Sequence, residues 1–197
     1  MTRFPSLLTL LLSLLSIILY PSLSPCLDLE TDDLTYAVHG GPMDVQKGFE
    51  DKAFNLGYFI GGKLLVPMKS PAGLTLGLGM DFCLMDGDEE VKDAYGIYNA
   101  ANHYKLADAS LLARYTFLRF RDTTFFAQAN GGCFWEKTET NISPLSITYE
   151  SVTYENTGFC YSWGGGLTWI DHFELYALYN QFEDNELLTI TIGWVFN

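Results

Sequence analysis

The chain is short of cysteine, histidine and basic residues, and beyond its first 20 residues it has no long apolar run. Each shortage excludes something. Four cysteines fall to three, Cys83, Cys133 and Cys160, once Cys26 is assigned to the N-terminal leader described below. An odd count without tight spacing is neither a disulfide framework nor a metal site, so these read as small core residues. Eleven Lys and Arg against 24 Asp and Glu leave a formal charge of −13, which repels nucleic-acid phosphates and excludes that class of partner. No segment after the leader approaches the 18 consecutive apolar residues of a membrane-crossing helix. Alanine, lysine and glutamate, the residues that fill helices, are scarce. No repeat, low-complexity tract or linker divides the chain.

What is present begins with a leader. Arg3 supplies a positive start, Leu7 to Leu19 an apolar run, and Pro21, Ser22 and Ser24 a helix-breaking, small-residue end. Residues 1–26 therefore read as a secretory signal and 27–197 as the mature domain. The segment Leu23-Ser24-Pro25-Cys26 also has the outline of a lipoprotein signal with Cys26 as the lipidated residue, although Pro25 stands where a small residue is wanted. Removing Arg3 and no acid takes the charge from −13 to −14.

The whole chain is rich in Tyr (12), Phe (14) and Gly (18), and the segments of its mature part alternate with period two, the mark of a two-faced strand. Leu74, Leu76, Leu78, Met80, Phe82 and Leu84 oppose Thr75, Gly77, Gly79, Asp81, Cys83 and Met85. Phe159, Tyr161, Trp163, Leu167 and Trp169 oppose Gly158, Cys160, Ser162, Gly164, Gly166 and Thr168. Leu188, Ile190, Ile192, Trp194 and Phe196 oppose Thr189, Thr191, Gly193 and Val195. One face is large and oily; the other is small or polar. A soluble barrel shows a charged face to water, whereas small residues suit the crowded inside of a narrow barrel whose oily face meets lipid.

Eight such segments are expected, at 34–41, 55–66, 73–85, 107–118, 123–135, 157–169, 172–181 and 187–196. Connections after the second, fourth and sixth are short; those after the first, third and fifth are long, and the seventh is intermediate. Short turns on the side of both termini and long loops opposite is the pattern of an outer-membrane barrel. The predicted fold is all-β: an eight-stranded antiparallel up-and-down transmembrane β-barrel. The stretch 146–154 keeps period two while polar, and reads as a strand projecting above the membrane.

Alternation turns Lys63, Asp81, Arg114, Gln128, Asn130, Glu174 and Asn180 inward, where opposite charges pair as a polar plug. The acidic stretch Asp86-Gly87-Asp88-Glu89-Glu90 reads as a solvated surface loop. Its spacing lacks the twelve-residue pattern of a calcium loop, so no metal or cofactor is expected. For catalysis only His39, His103 and His172 offer an imidazole base. Asp171 adjoins His172 but points to the opposite face, and the His-x-Ser pattern that known barrel deacylases of lipid A carry is absent, since Glu174 stands two residues after His172.

Three segments resemble the bacterial outer-membrane β-barrel family, the small eight-stranded group that includes OmpA-like and OmpX-like barrels. They are Trp163-Gly164-Gly165-Gly166-Leu167, Leu111-Leu112-Ala113-Arg114-Tyr115-Thr116-Phe117, and the closing Thr191-Ile192-Gly193-Trp194-Val195-Phe196. The resemblance covers about 34–197. It implies residence in outer-membrane lipid and recognition by the barrel-assembly machinery of the final strand ending at Phe196, which Asn197 follows. Family members include structural barrels, adhesins and small channels. The resulting expectation is a non-enzymatic barrel with a plugged lumen and an extracellular partner at its loops. Two rivals stand beside it: a secreted or periplasmic lipocalin-like barrel holding an apolar ligand, and a barrel lipid hydrolase.

Overall fold

A computed structural model describes residues 34–47, 56–69, 71–93, 96–143, 150–183 and 185–196. The expected signal at 1–26 lies outside them. Eight strands follow one another: β1 (Thr35–Lys47), β2 (Gly57–Pro67), β3 (Leu74–Asp93), β4 (Gly96–Phe120), β5 (Thr123–Ser143), β6 (Glu150–Trp169), β7 (Phe173–Phe182) and β8 (Asn185–Phe196). Each pairs antiparallel with its neighbour in sequence. β8 returns to β1 through Tyr36↔Phe196 and Val38↔Trp194, closing the barrel. Closure leaves no edge within the ring, which is what lipid demands of a backbone it cannot hydrogen-bond.

The side-chain pattern builds this barrel outward-oily. Phe159 is 81% exposed, and Tyr58, Ile60, Phe117, Phe120 and Trp163 are exposed too. On the same strands Phe59, Lys63, Leu65, Arg114, Cys160 and Ser162 are buried. The lipocalin-like arrangement, with the aromatic face inside, is thereby overturned. On the outer face, an apolar band runs from Phe120, Trp169 and Phe196 at the turn end to Tyr58, Leu84 and Phe159, above which Lys105 and Lys137 are the first outward charges on β4 and β5.

The turn end is tight. Ile170 and Asp171 hold φ of 54° and 59°, and the His172 N–H donates to the Trp169 carbonyl at 3.3 Å, the geometry that suits the twist of a two-residue hairpin turn. Gly73 holds φ of 86° in the β2–β3 turn. The glycines of β6 have a different cause: a Cβ on Gly164 would lie 2.0 Å from the Ala177 carbonyl oxygen of β7, so only glycine lets these strands approach as they do.

The long connections are where the expectation is corrected. The stretches 86–93, 96–106 and 136–143, expected as loops, are strand, and 150–154, expected as part of a strand projecting above the membrane, belongs to β6. β3, β4, β5 and β6 have 20, 25, 21 and 20 residues, against 13, 11, 10 and 12 in β1, β2, β7 and β8. A tilted membrane strand needs about 9–11. The surplus stands beyond the apolar band as a four-stranded sheet. Its strands lost their signature because neither face there belongs to the apolar band or lines the narrow lumen, so nothing imposes an oily-against-small alternation.

Candidate functional site

Three inward side chains from separate strands meet in the lumen. Glu174 of β7, with no exposed surface, accepts from Lys63 Nζ of β2 at 2.5 Å and from Arg114 Nη1 of β4 at 2.5 Å. Arg114 also donates through Nε and Nη2 to Gln128 Oε1 at 3.2 and 2.8 Å, and Gln128 Nε2 donates to Asn130 Oδ1 at 3.0 Å. Phe126 lies under the guanidinium, 3.9 Å from Cζ, and Lys63 Nζ sits 4.3 Å from the Tyr176 ring centre. Burying three charges is tolerable only because each finds a partner and the cations also meet aromatic faces.

Of the residues the sequence turns inward, the structure brings Lys63, Arg114, Gln128, Asn130 and Glu174 into this one network. Asp81 stands apart from it and pairs with His39, Nε2 to Oδ1 at 2.5 Å. Asn180 Nδ2 donates to Thr189 Oγ1 at 3.1 Å and to the carbonyls of Leu178 and Leu187. Asp81 and Asp108 are register partners across β3 and β4. Together with Ser110, Asn130 and Cys160 they line a cavity of about 20 Å³, room for about one water. His39 was legible as an inward position on β1, yet nothing local pairs it with a residue 42 positions away. Asp108 and Tyr176 were missed the same way.

Directly above this chamber lies an apolar layer. Met43, Phe59, Cys83, Met85, Tyr104, Leu106, Phe134, Cys160, Phe182 and Leu187 pack into one buried cluster, with the Phe134 and Phe182 rings edge-to-face at 5.5 Å. The expected small-or-polar inner face thus fails across this layer, beyond which buried Asn102, Glu136 and Thr138 are polar again. Below the charged network, a vestibule of about 450 Å³ opens at the turn end between Leu34, Pro67, Arg119, Asp171 and the Arg114–Glu174 floor.

The acidic stretch is not a loop. Asp86 to Asp93 complete β3, and Asp86 accepts from His103 Nδ1 at 2.6 Å across to β4. Asp88, Glu89 and Glu90 continue the same strand backbone. Among the described residues no three His, Cys, Asp or Glu come together as a metal site. On the outer side of the projecting sheet, Glu139 pairs with Lys137 at 2.7 Å and Lys105 at 3.8 Å. The Lys137 hydrogen bond, then the Lys105 charge, hold the Glu139 carboxyl below its ordinary range, and the contact raises Lys137. A group depressed in this way favours the folded form above its unfolded pKa, and the contribution fades as pH falls through its folded value. A carboxyl-carbon NMR titration is expected to place the Glu139 midpoint below that of an isolated glutamate, and Lys137→Ala to move it back up.

His172 does not assemble with a nucleophile: its Nδ1 lies 3.1 Å from the Val195 carbonyl and its ring stacks on Trp194 at 5.6 Å. Tyr104 donates to Glu136 at 2.6 Å near the top of the lumen, where Asn156 also reaches Glu136 at 3.1 Å.

No protein-family model matches the chain, and no curated protein matches it. Solved structures with a similar course include Ail, the attachment invasion locus protein of Yersinia pestis, in complex with the heparin analogue sucrose octasulfate. It is 15% identical, with 83% of this chain and 97% of that one covered and a TM-score of 0.48. Neisserial surface protein A is 9% identical over 82% and 95%, TM-score 0.48. OprG from Pseudomonas aeruginosa is 11% identical over 83% and 96%, TM-score 0.45. Similarity at this level transfers no function, and the architecture rests on the register of the eight strands themselves.

Proposed function

We propose that the protein is a non-enzymatic outer-membrane barrel of a Gram-negative bacterium, whose lumen is plugged and whose contacts with other molecules are made by the sheet that projects beyond the lipid. The observation that carries this is the pairing of a filled lumen with surplus strand. The Lys63–Arg114–Glu174 network and the apolar cluster above it occupy the bore, while β3–β6, strands of 20 to 25 residues, run on past the apolar band. A filled bore has no room for a substrate, and strand built beyond the membrane is unnecessary for anchoring. In this reading the outer band sits in outer-membrane lipid, and the assembly machinery engages the closing strand that ends at Phe196. The acidic ends of the long strands then face an extracellular partner.

Fractionation of expressing cells tests location, and SDS gel mobility with and without boiling tests closure. The protein is expected in the outer-membrane fraction with a heat-shifted band. A mature chain soluble without detergent and of single mobility would overturn the reading. In planar bilayers the purified barrel is expected to stay silent. Glu174→Gln alone should leave it so, because the apolar cluster of Phe59, Phe134 and Phe182 closes the bore a second time. Steady conductance of the unmodified barrel would refute the plug.

A further inference from the structure

Every charge in the Lys63–Arg114–Glu174 network has a partner, but one inward charge outside it has none. Asp108 of β4 makes no hydrogen bond or ion pair with any described residue. Its register partner across the ladder is another acid, Asp81 of β3. Like charges directly opposite on one face of a sheet destabilise it unless something neutralises them. Asp81 reaches only His39 among the described residues, with Nε2 2.5 Å from Oδ1. The imidazole Nδ1 is buried without a partner. An imidazolium would bury a second N–H with nothing to accept it, so the ring is neutral and donates through Nε2. A neutral histidine leaves the two carboxylates with no protein cation between them.

Neutral oxygens converge on the same place. Asn130, Ser162 and Asn180 lie in one register row across β5, β6 and β7, and Ser110 follows Asp108 on the inward face of β4. With Asp81 and Asp108 they line the cavity of about 20 Å³. Ser162 points to an occupant independently of the acids. It is only 7% exposed, it lines the cavity, and its hydroxyl has no hydrogen-bond partner among the described residues. A buried hydroxyl costs free energy unless something in the cavity takes it up. Asn180 uses its amide nitrogen on Thr189 and on the Leu178 and Leu187 carbonyls, so its oxygen is also without a partner among the described residues.

We infer that this chamber is a calcium site, in which Asp81 and Asp108 supply the charge and Ser110, Asn130, Ser162 and Asn180 supply neutral oxygens. Carboxylates bind through one or both oxygens, so these side chains match the about six to eight hard oxygens that calcium takes in flexible geometry. Two carboxylates balance its charge. Magnesium keeps several of its waters, and a chamber with room for about one water does not hold them. The ligands come from five consecutive strands, β3 to β7, so binding couples the ion to barrel formation. The charged network below and the apolar layer above close the chamber, so the ion enters as the barrel closes and leaves slowly. The site stands whether or not the projecting sheet meets a partner.

For the test, the full mature chain is unfolded in urea, refolded into lipid vesicles in millimolar calcium, and freed of loosely held metal on a chelating resin. It is expected to keep about one calcium ion per chain, read by atomic emission, and to unfold at higher urea than a sample refolded in chelator. Asp108→Asn is expected to keep less than about a tenth as much and to lose the calcium-dependent shift. Asp86→Asn, on the projecting sheet, should retain both. Ser162→Ala leaves the two carboxylates in place and is expected to release its ion to chelator at least about fivefold faster. That variant decides the matter if Asp108→Asn gives no heat-shifted band. No calcium on the unmodified barrel would overturn the assignment and leave the two carboxylates sharing a proton. So would undiminished retention in Asp108→Asn, which would put the ion on exposed acids, or release from Ser162→Ala at the unmodified rate.

Discussion

Replacing Glu174 with alanine is expected to cost the barrel about 3–5 kcal/mol, the penalty of leaving buried charge without its partner. Lys63 and Arg114 both end on this one carboxylate at 2.5 Å, and the Lys63 and Glu174 side chains are each only 1% exposed. Removing the acid strands two cations at once, although the Phe126 and Tyr176 rings and Gln128 remain to hold them. Urea-driven unfolding from lipid vesicles, followed by tryptophan fluorescence, measures the loss directly. A triple replacement, Lys63→Met with Arg114→Leu and Glu174→Leu, is expected to recover most of it, because an apolar filling of similar volume carries no desolvation cost. If the alanine variant lost less than about 1 kcal/mol, as solvent-exposed ion pairs do, water would have free access to the network and the lower lumen would be open.

Leu111→Arg is expected to destabilise the folded, lipid-embedded barrel by about 2–4 kcal/mol, the cost of a cation near the middle of a lipid-facing strand. Leu111 is 50% exposed on the outer face of β4, midway between Lys105 and Phe120. Phe120→Arg, at the turn-end margin of the band, is expected to cost about 0–1 kcal/mol. The contrast between the two positions is the informative quantity. In a water-soluble barrel both would be ordinary surface substitutions within about 0.5 kcal/mol of neutral. Equal, small effects in the same unfolding assay would refute a lipid-facing outer surface.

The faces of the strands were legible because a strand's side-chain direction depends only on the parity of its position. Lys63, Asp81, Arg114 and Glu174 could be turned inward from their neighbours alone, and the oily partners Ile60, Phe82, Tyr115 and Leu175 outward. Turn positions were legible for a related reason, since short connections between two-faced segments leave the chain no alternative to a hairpin. Strand ends were not. Above the band the alternation becomes polar against polar, so 86–93, 96–106 and 136–143 read as loop although their backbones pair, whereas 150–154 kept enough of the period to read as a projecting strand. The upper lumen was also misread, since Phe59, Met85 and Phe134 sit at inward positions expected to be small or polar.

The amino-acid sequence by itself determined an eight-segment, two-faced antiparallel chain with the oily side out, because period-two patterning and turn spacing are local. Only the tertiary structure decided which inward residues share a height in the bore. Closing β8 onto β1 sets the stagger of every strand. That stagger brings Glu174 to Lys63, 111 residues away, and to Arg114, 60 away. The same closure sets His39 against Asp81 and stacks the Phe134 and Phe182 rings over the charged network. It also lets β3 and β6 run on past the ends of their pairing with β2 and β7. Heights within a barrel follow from strand number and stagger taken together, and no single segment of the chain encodes either.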